Sequence, residues 1–196
     1  MFRSEGSDFL KADSSAPGAF QHHRANFRCG GMNDPVLQKI QDKLDLIELM
    51  NRFGYAIDTN DWNLYASLFT DFVDFDYSTI GGPVGKLPVA GIVQGAKADL
   101  SGWDQTQHLI TNHLIAVDGD RARGEAHYRA IHLLQAQGDK GDLLTQGGPI
   151  FENGGHYSAR FERQADGWKI AAWTFQLYYS RGNGGLVAVA RERAQS

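Results

Sequence analysis

Asp58, in Ile57-Asp58-Thr59-Asn60-Asp61-Trp62, and His108, in Thr106-Gln107-His108-Leu109-Ile110, are the residue types of a general-base pair. A carboxylate that holds one imidazole nitrogen fixes the tautomer, and it stabilises the imidazolium formed when the other nitrogen takes a proton. Such a pair moves protons without a metal or a covalent nucleophile. The competing reading makes Asp58 a cap for a short helix that starts near Asp61, a duty Thr59, Asn60 and Asp61 can also perform.

The elements that must position the pair follow from periodicity. Asn33 or Asp34 can cap a helix with Pro35 in its first turn, and Leu37, Ile40, Leu44, Ile47, Met50, Gly54 and Ile57 then recur at spacings of three and four. The pattern predicts a long amphipathic helix with Asp58 at the edge of its apolar face, where a carboxylate needs a partner. A second helix is expected over 61–69, bringing Trp62, Leu64, Tyr65, Leu68 and Phe69 to the core. Alternation over 72–77 reads as a strand with Tyr77 pointing inward. The Gly- and Pro-rich stretch 81–88 reads as a surface loop or a lid leading to a short helix before Trp103, and its glycines lack phosphate-loop spacing.

Strands over 106–117 and 121–137 flank Asp118-Gly119-Asp120, and strands over 156–163 and 168–179 flank Ala165-Asp166-Gly167, two hairpin-type turns. Long strands gathered after the helices define an α+β class, with a curved, mostly antiparallel sheet wrapped around the long helix and a cavity at one end. Gly154-Gly155 supplies the bend that such curvature needs. By strand parity Asn112 shares the cavity face with His108, while His113 faces outward. His132 shares its face with Tyr128, in pocket or core, and His127 and His156 stay open. Parity also places Leu109, Ile115 and Val117, with Ile131 and Leu133, on the outer face, so that both faces are apolar and self-association as a homodimer or higher oligomer is expected.

The 196 residues are 42% apolar and 21% charged, which suits one globular domain. A net charge of −4 with the signs interspersed disfavours nucleic acid and membrane surfaces as partners. Cys29 alone excludes an internal disulfide, and a cytoplasmic setting is the default. Residues 1–33 lack an apolar period and read as a flexible tail contributing little to the fold, in which His22 and His23 lack a third ligand and Met32 stands as an alternative start. No metal or cofactor is expected.

From about Asp34 to Tyr179 the chain resembles the SnoaL-like and scytalone-dehydratase-like families of the NTF2-like superfamily. The resemblance lies in Asp58-Thr59-Asn60-Asp61-Trp62, Phe75-Asp76-Tyr77, Thr106-Gln107-His108, Arg129-Ala130-Ile131-His132 and Asp166-Gly167-Trp168-Lys169-Ile170. It implies a cone-shaped α+β barrel, usually dimeric, over 34–180, with 181–196 as a helix or pocket flap. It also implies catalytic roles: His108 removes a proton beside a carbonyl, Asp58 orients it, Tyr77 hydrogen-bonds the developing enolate and His132 assists departure of a hydroxyl.

Two departures point to a different substrate. Ile57 replaces a tyrosine of scytalone dehydratase and Tyr157 replaces an asparagine, so Tyr157 or Tyr55 is left to supply the missing phenol. Tyr55, Asn112, Tyr128 and Tyr157 form the expected substrate-binding set. The expected activity is a cofactor-free lyase (a dehydratase) or isomerase acting on a small cyclic or polyketide-like hydroxy-ketone. The alternative is a non-catalytic ligand-binding or structural subunit, like the β subunits of ring-hydroxylating dioxygenases.

Overall fold

The structure, a computed structural model, describes residues 34–135 and 147–196. The expected tail lies outside them, together with His22, His23 and Cys29. Pro35–Asp58 form the long helix α1, which opens with Asp34 accepting a hydrogen bond from the Val36 amide at 2.8 Å. Proline costs nothing in that first turn, because its missing N–H has no helical partner there. The helix is buried only from Asp42 onward, on a face made of Leu46, Leu49, Met50, Phe53, Gly54, Ala56 and Ile57. Leu37, Ile40 and Leu44, expected on the apolar face, stand exposed, because at 3.6 residues per turn they fall on the side of the helix away from Leu46 and Phe53, and the first two turns run past the packed part. Asp42 instead anchors the helix. Its carboxylate accepts from Arg163 at 2.7 Å, Gln38 at 3.0 Å and the Trp168 indole at 3.3 Å, which compensates the cost of burying a charge.

A short helix α2, Trp62–Ser67, follows, capped by Asp61 accepting from the Leu64 amide at 2.9 Å. Asp58 therefore caps nothing. The chain continues through β1 (Phe69–Asp76), β2 (Val84–Pro88), α3 (Val89–Leu100), β3 (Gln105–Asp118), β4 (Arg121–Leu133), β5 (Ile150–Gln164), β6 (Gly167–Gly182) and α4 (Leu186–Arg193). The six strands form one curved sheet in the order β2-β1-β6-β5-β4-β3, antiparallel throughout except for the parallel β1–β6 pair. The sheet does not close into a barrel: β2 and β3 are its two edges. The connection expected to be a loop or lid is in part a strand, with Val84–Pro88 pairing along β1.

Of the four places where the strand register shifts, two shape the site. One falls at Gly154/Gly155, where the register with β6 shifts as the glycines suggest; a Cβ on Gly155 would lie 2.0 Å from the Gln176 carbonyl oxygen. The other falls between Thr111 and Leu114, where Asn112 adopts a positive φ of 57°. That extra residue reverses strand parity beyond it. Ile115 and Val117 consequently pack on the core rather than on the outer face, and His113 turns inward, its Nε2 buried without a partner. The core lies between the sheet and α1, centred on Phe53, which stacks on Trp173 at 4.3 Å and meets Tyr65 and Tyr157 at 5.3 and 5.5 Å.

Candidate active site

Asp58 and His108 meet because α1 crosses β3 at Gly54. A Cβ there would come within 3.0 Å of the His108 Cβ and 3.3 Å of the Ile110 side chain, so glycine permits the close approach. One turn later the Asp58 carboxylate faces β3. Its Oδ1 accepts from His108 Nδ1 at 2.7 Å and from Thr106 Oγ1 at 2.8 Å, and its Oδ2 accepts from the His108 main-chain N–H at 2.7 Å. The His108 side chain is only 6% exposed. Burial works against the Asp58 charge, but the hydrogen bonds from His108 and Thr106 outweigh it and hold the carboxyl below its usual range. An ionised carboxylate can only accept, so Nδ1 carries a proton, and it is the Nε2 of the neutral imidazole that can present a lone pair.

The sheet register sets what surrounds the pair. Thr106 lies opposite His132, His108 opposite Ala130, and Ile110 opposite Tyr128, so these side chains share the inner face. The His132 ring is buried, stands edge-on to His108 at 5.6 Å and packs against Trp103 and Phe151 at 5.0 and 5.8 Å. Burial, reinforced by His108, pushes its pKa down to about 4, so it is a neutral group at physiological pH; its Nδ1 has no partner. Trp103 belongs to a second apolar cluster with Leu134, Leu186, Val189 and Ala190, so α4 backs the His132 side of the site. A Cβ on Gly102 would collide with the Ala190 carbonyl oxygen at 1.8 Å, and Arg193 pairs with Asp104 at 2.7 Å, which holds α4 close.

Tyr77 sits just past β1, its ring stacked between Phe75 at 4.3 Å and Phe175 at 4.9 Å. Tyr128 stacks on Tyr157 at 4.4 Å, and Tyr157 on Trp173 at 4.7 Å. Burial raises the pKa of all three phenols, and Tyr77 acts electrostatically on the other two, so the hydroxyls stay protonated and lie near one another. Tyr128 Oη and Trp173 Nε1 are buried without hydrogen-bond partners. The indole N–H lies near the Tyr77 hydroxyl without reaching hydrogen-bond geometry.

Of the expected residues, Asp58, His108, His132, Tyr77, Tyr128 and Tyr157 are thus brought to one inner region. Tyr55 is not: it is 59% exposed on the outward side of α1. Asn112, displaced by its bulge, is exposed and bonds His127 Nδ1 at 3.1 Å. His127 and His156 lie across from each other in β4 and β5 at a ring separation of 6.0 Å, and His156 Nε2 binds Glu125 at 2.9 Å. Sequence reasoning missed Thr106 as a partner of Asp58, as well as Trp103 and Trp173. The parity of Trp173 with Phe175 was the available signal for the last. Among the described residues no group of His, Cys, Asp and Glu side chains is arranged to hold a metal ion, and no helix is long and apolar enough to cross a membrane.

A curved open sheet packed on a long helix, with its polar groups gathered on the inner face, defines the class. The chain belongs to the SnoaL-like domain family of the NTF2-like superfamily, whose model matches residues 38–174. It is 27% identical over 132 residues to the uncharacterized protein Rv2910c of Mycobacterium tuberculosis, covering 67% of this chain and 82% of that protein. The crystal structure of the Kribbella flavida protein Kfla4162 superposes with a TM-score of 0.66 and 26% identity, over 81% of this chain and 99% of that one. A proposed scytalone dehydratase from Novosphingobium aromaticivorans shares the fold at a TM-score of 0.58 and 18% identity, over 76% of this chain and 91% of that one.

Proposed function

We propose that the chain is a cofactor-free lyase or isomerase of small, uncharged cyclic hydroxy-ketones, with His108 as the base. The carrying observation is a set of buried polar atoms without protein partners on the inner side that also holds the oriented imidazole, His132 Nδ1, Tyr128 Oη and Trp173 Nε1 among them. A buried donor or acceptor left unmade costs about 1–3 kcal/mol, so a region that keeps three of them is built to be completed by a ligand. Among the described residues no lysine or arginine hydrogen-bonds to Asp58 or His108, which favours a neutral substrate over an anionic one.

In the reaction His108 Nε2 takes the proton from the carbon beside the carbonyl, and the C–H electron pair moves into an enolate. Asp58 stabilises the resulting imidazolium, and the neutral donors Tyr77, Tyr128 and Trp173 bind the enolate oxygen. The enolate then collapses. In a dehydratase the β-hydroxyl leaves as water, with a proton returned by the imidazolium and the free Nδ1 of neutral His132 accepting a hydrogen bond from the departing water. In an isomerase the proton returns to another carbon.

Solvent deuterium exchange at C2 of a bicyclic β-hydroxy ketone such as 3-hydroxy-1-tetralone, followed by NMR, tests the first step without knowledge of the product. His108→Ala and Asp58→Asn are expected to slow exchange by about 10²-fold or more. The double variant should be little slower than the slower single one, because the two residues serve one step. Exchange at the wild-type rate in His108→Ala would exclude the assignment. A wild type that binds such ketones but exchanges none would instead favour a non-catalytic carrier.

A further inference from the structure

Among the described residues Thr106 is the one side chain besides His108 that bonds the Asp58 carboxylate, and both bond the same oxygen. Its hydroxyl reaches Oδ1 at 2.8 Å, beside His108 Nδ1 at 2.7 Å, while Oδ2 is taken by the His108 main-chain N–H. Three hydrogen bonds on two oxygens define the plane of the carboxylate. Thr106 lies two residues before His108 on β3, so the side chains share a face, and its β-branched side chain has few alternative rotamers. We propose that Thr106 is a positioning residue that tempers the Asp58–His108 hydrogen bond by drawing part of the Oδ1 charge onto its own hydroxyl. The proposal rests on the reading of His108 as the base, but its test needs no turnover.

The physical reason is competition for one acceptor. A charge-assisted bond is strongest when the donor has the carboxylate oxygen to itself, and a second donor on that oxygen weakens the first. The other groups near the pair carry no charge able to substitute. From β4 comes neutral His132, edge-on to His108, from α1 comes Gly54, and from β5 Tyr157, a protonated phenol that acts on Asp58. A base held too tightly to its carboxylate keeps the proton it has taken, so a tempered bond suits a residue that must return that proton within the same cycle.

The readout is the Nδ1 proton of His108 in the intact chain, seen as a far-downfield signal by proton NMR and assigned by its loss in His108→Gln. Thr106→Val, which keeps the shape and removes the donor, is expected to move the signal further downfield. Thr106→Ser is expected to restore the wild-type position. In Asp58→Asn, Thr106→Val should change nothing further at His108, read from its Cε1 proton. A purely structural threonine would lower the unfolding temperature of Thr106→Val and leave the signal in place; that result overturns the proposal. An upfield move or loss of the signal also overturns it, since Thr106 would then strengthen the pair. Failure of the exchange assay in the wild type would sink the enzymatic reading while leaving the NMR result standing.

Discussion

At the scale of single residues, His132 couples the site to stability through pH. Its pKa falls from 6.5 to about 4 on folding, because the buried ring is costly to charge. The unfolded chain therefore takes up a proton first. The stabilisation from keeping His132 neutral is fully present above about pH 6.5 and is lost as pH falls toward about 4, a change on the order of 3 kcal/mol. Chemical denaturation of the wild type and of His132→Phe between pH 7 and pH 4 should show a flatter profile for the variant. Parallel profiles would mean that the imidazole reaches solvent. That Asp58 needs a partner is legible from its place at a helix edge, but the part of Thr106 is not, because a hydroxyl two residues from a histidine acquires meaning only when a carboxylate from another element arrives opposite it.

Between elements, the approach of α1 to β3 is what turns two distant residues into a pair. In Gly54→Ala the added methyl meets the His108 Cβ and carbonyl oxygen at 3.0 and 3.3 Å, so the helix must back away by a few tenths of an ångström. The expected cost is about 1–3 kcal/mol by thermal or chemical unfolding, accompanied by slower ketone exchange as Asp58 recedes from His108. Unchanged exchange would show that the dyad tolerates that movement.

The hairpins were readable because Asp-Gly turns need positive φ, which Gly119 and Gly167 adopt at 59° and 123°. The facing of β3 beyond Thr111 was not. Asparagine in a strand interior is the only trace of the bulge, and alternation cannot announce its own interruption. Periodicity likewise placed Leu37, Ile40 and Leu44 on a buried face, because steps of three and four drift around a helix of 3.6 residues per turn and, over the length of α1, carry the stripe off the side that meets the sheet.

For the whole molecule, we propose that the outer face of the sheet pairs with a second copy of the chain. Leu109, Leu114, Ile150, Tyr178 and Tyr179 are exposed there, with the half-buried Ile131 and Leu133 between them. Glu152 on that face is already matched: it binds Arg129 at 2.8 Å and Arg181 at 2.9 Å, its pKa lowered to about 2 by the two guanidinium groups, so covering it strands no lone carboxylate. Sedimentation at micromolar concentration should show a dimer that Leu114→Asp weakens at least tenfold, since the charge would be buried without a partner. A wild type that sediments only as monomer would overturn this.

The parallel pairing of β1 with β6 governs the order in which the molecule can be assembled. Phe75 and Trp173 lie side by side in that pair although almost a hundred residues separate them, while β3, β4 and β5 join only to sequence neighbours. As the chain leaves the ribosome, β1 and β2 wait as an isolated hairpin, a two-stranded piece with little stability of its own, until the sixth strand has been made. Closing so long a loop is an entropic cost met late, and it slows folding. The aromatic wall that carries Tyr77 and Trp173 is therefore the last part of the interior to come into being, and a chain stopped short of β6 can own the Asp58 and His108 residues and still lack the aromatic half of the core.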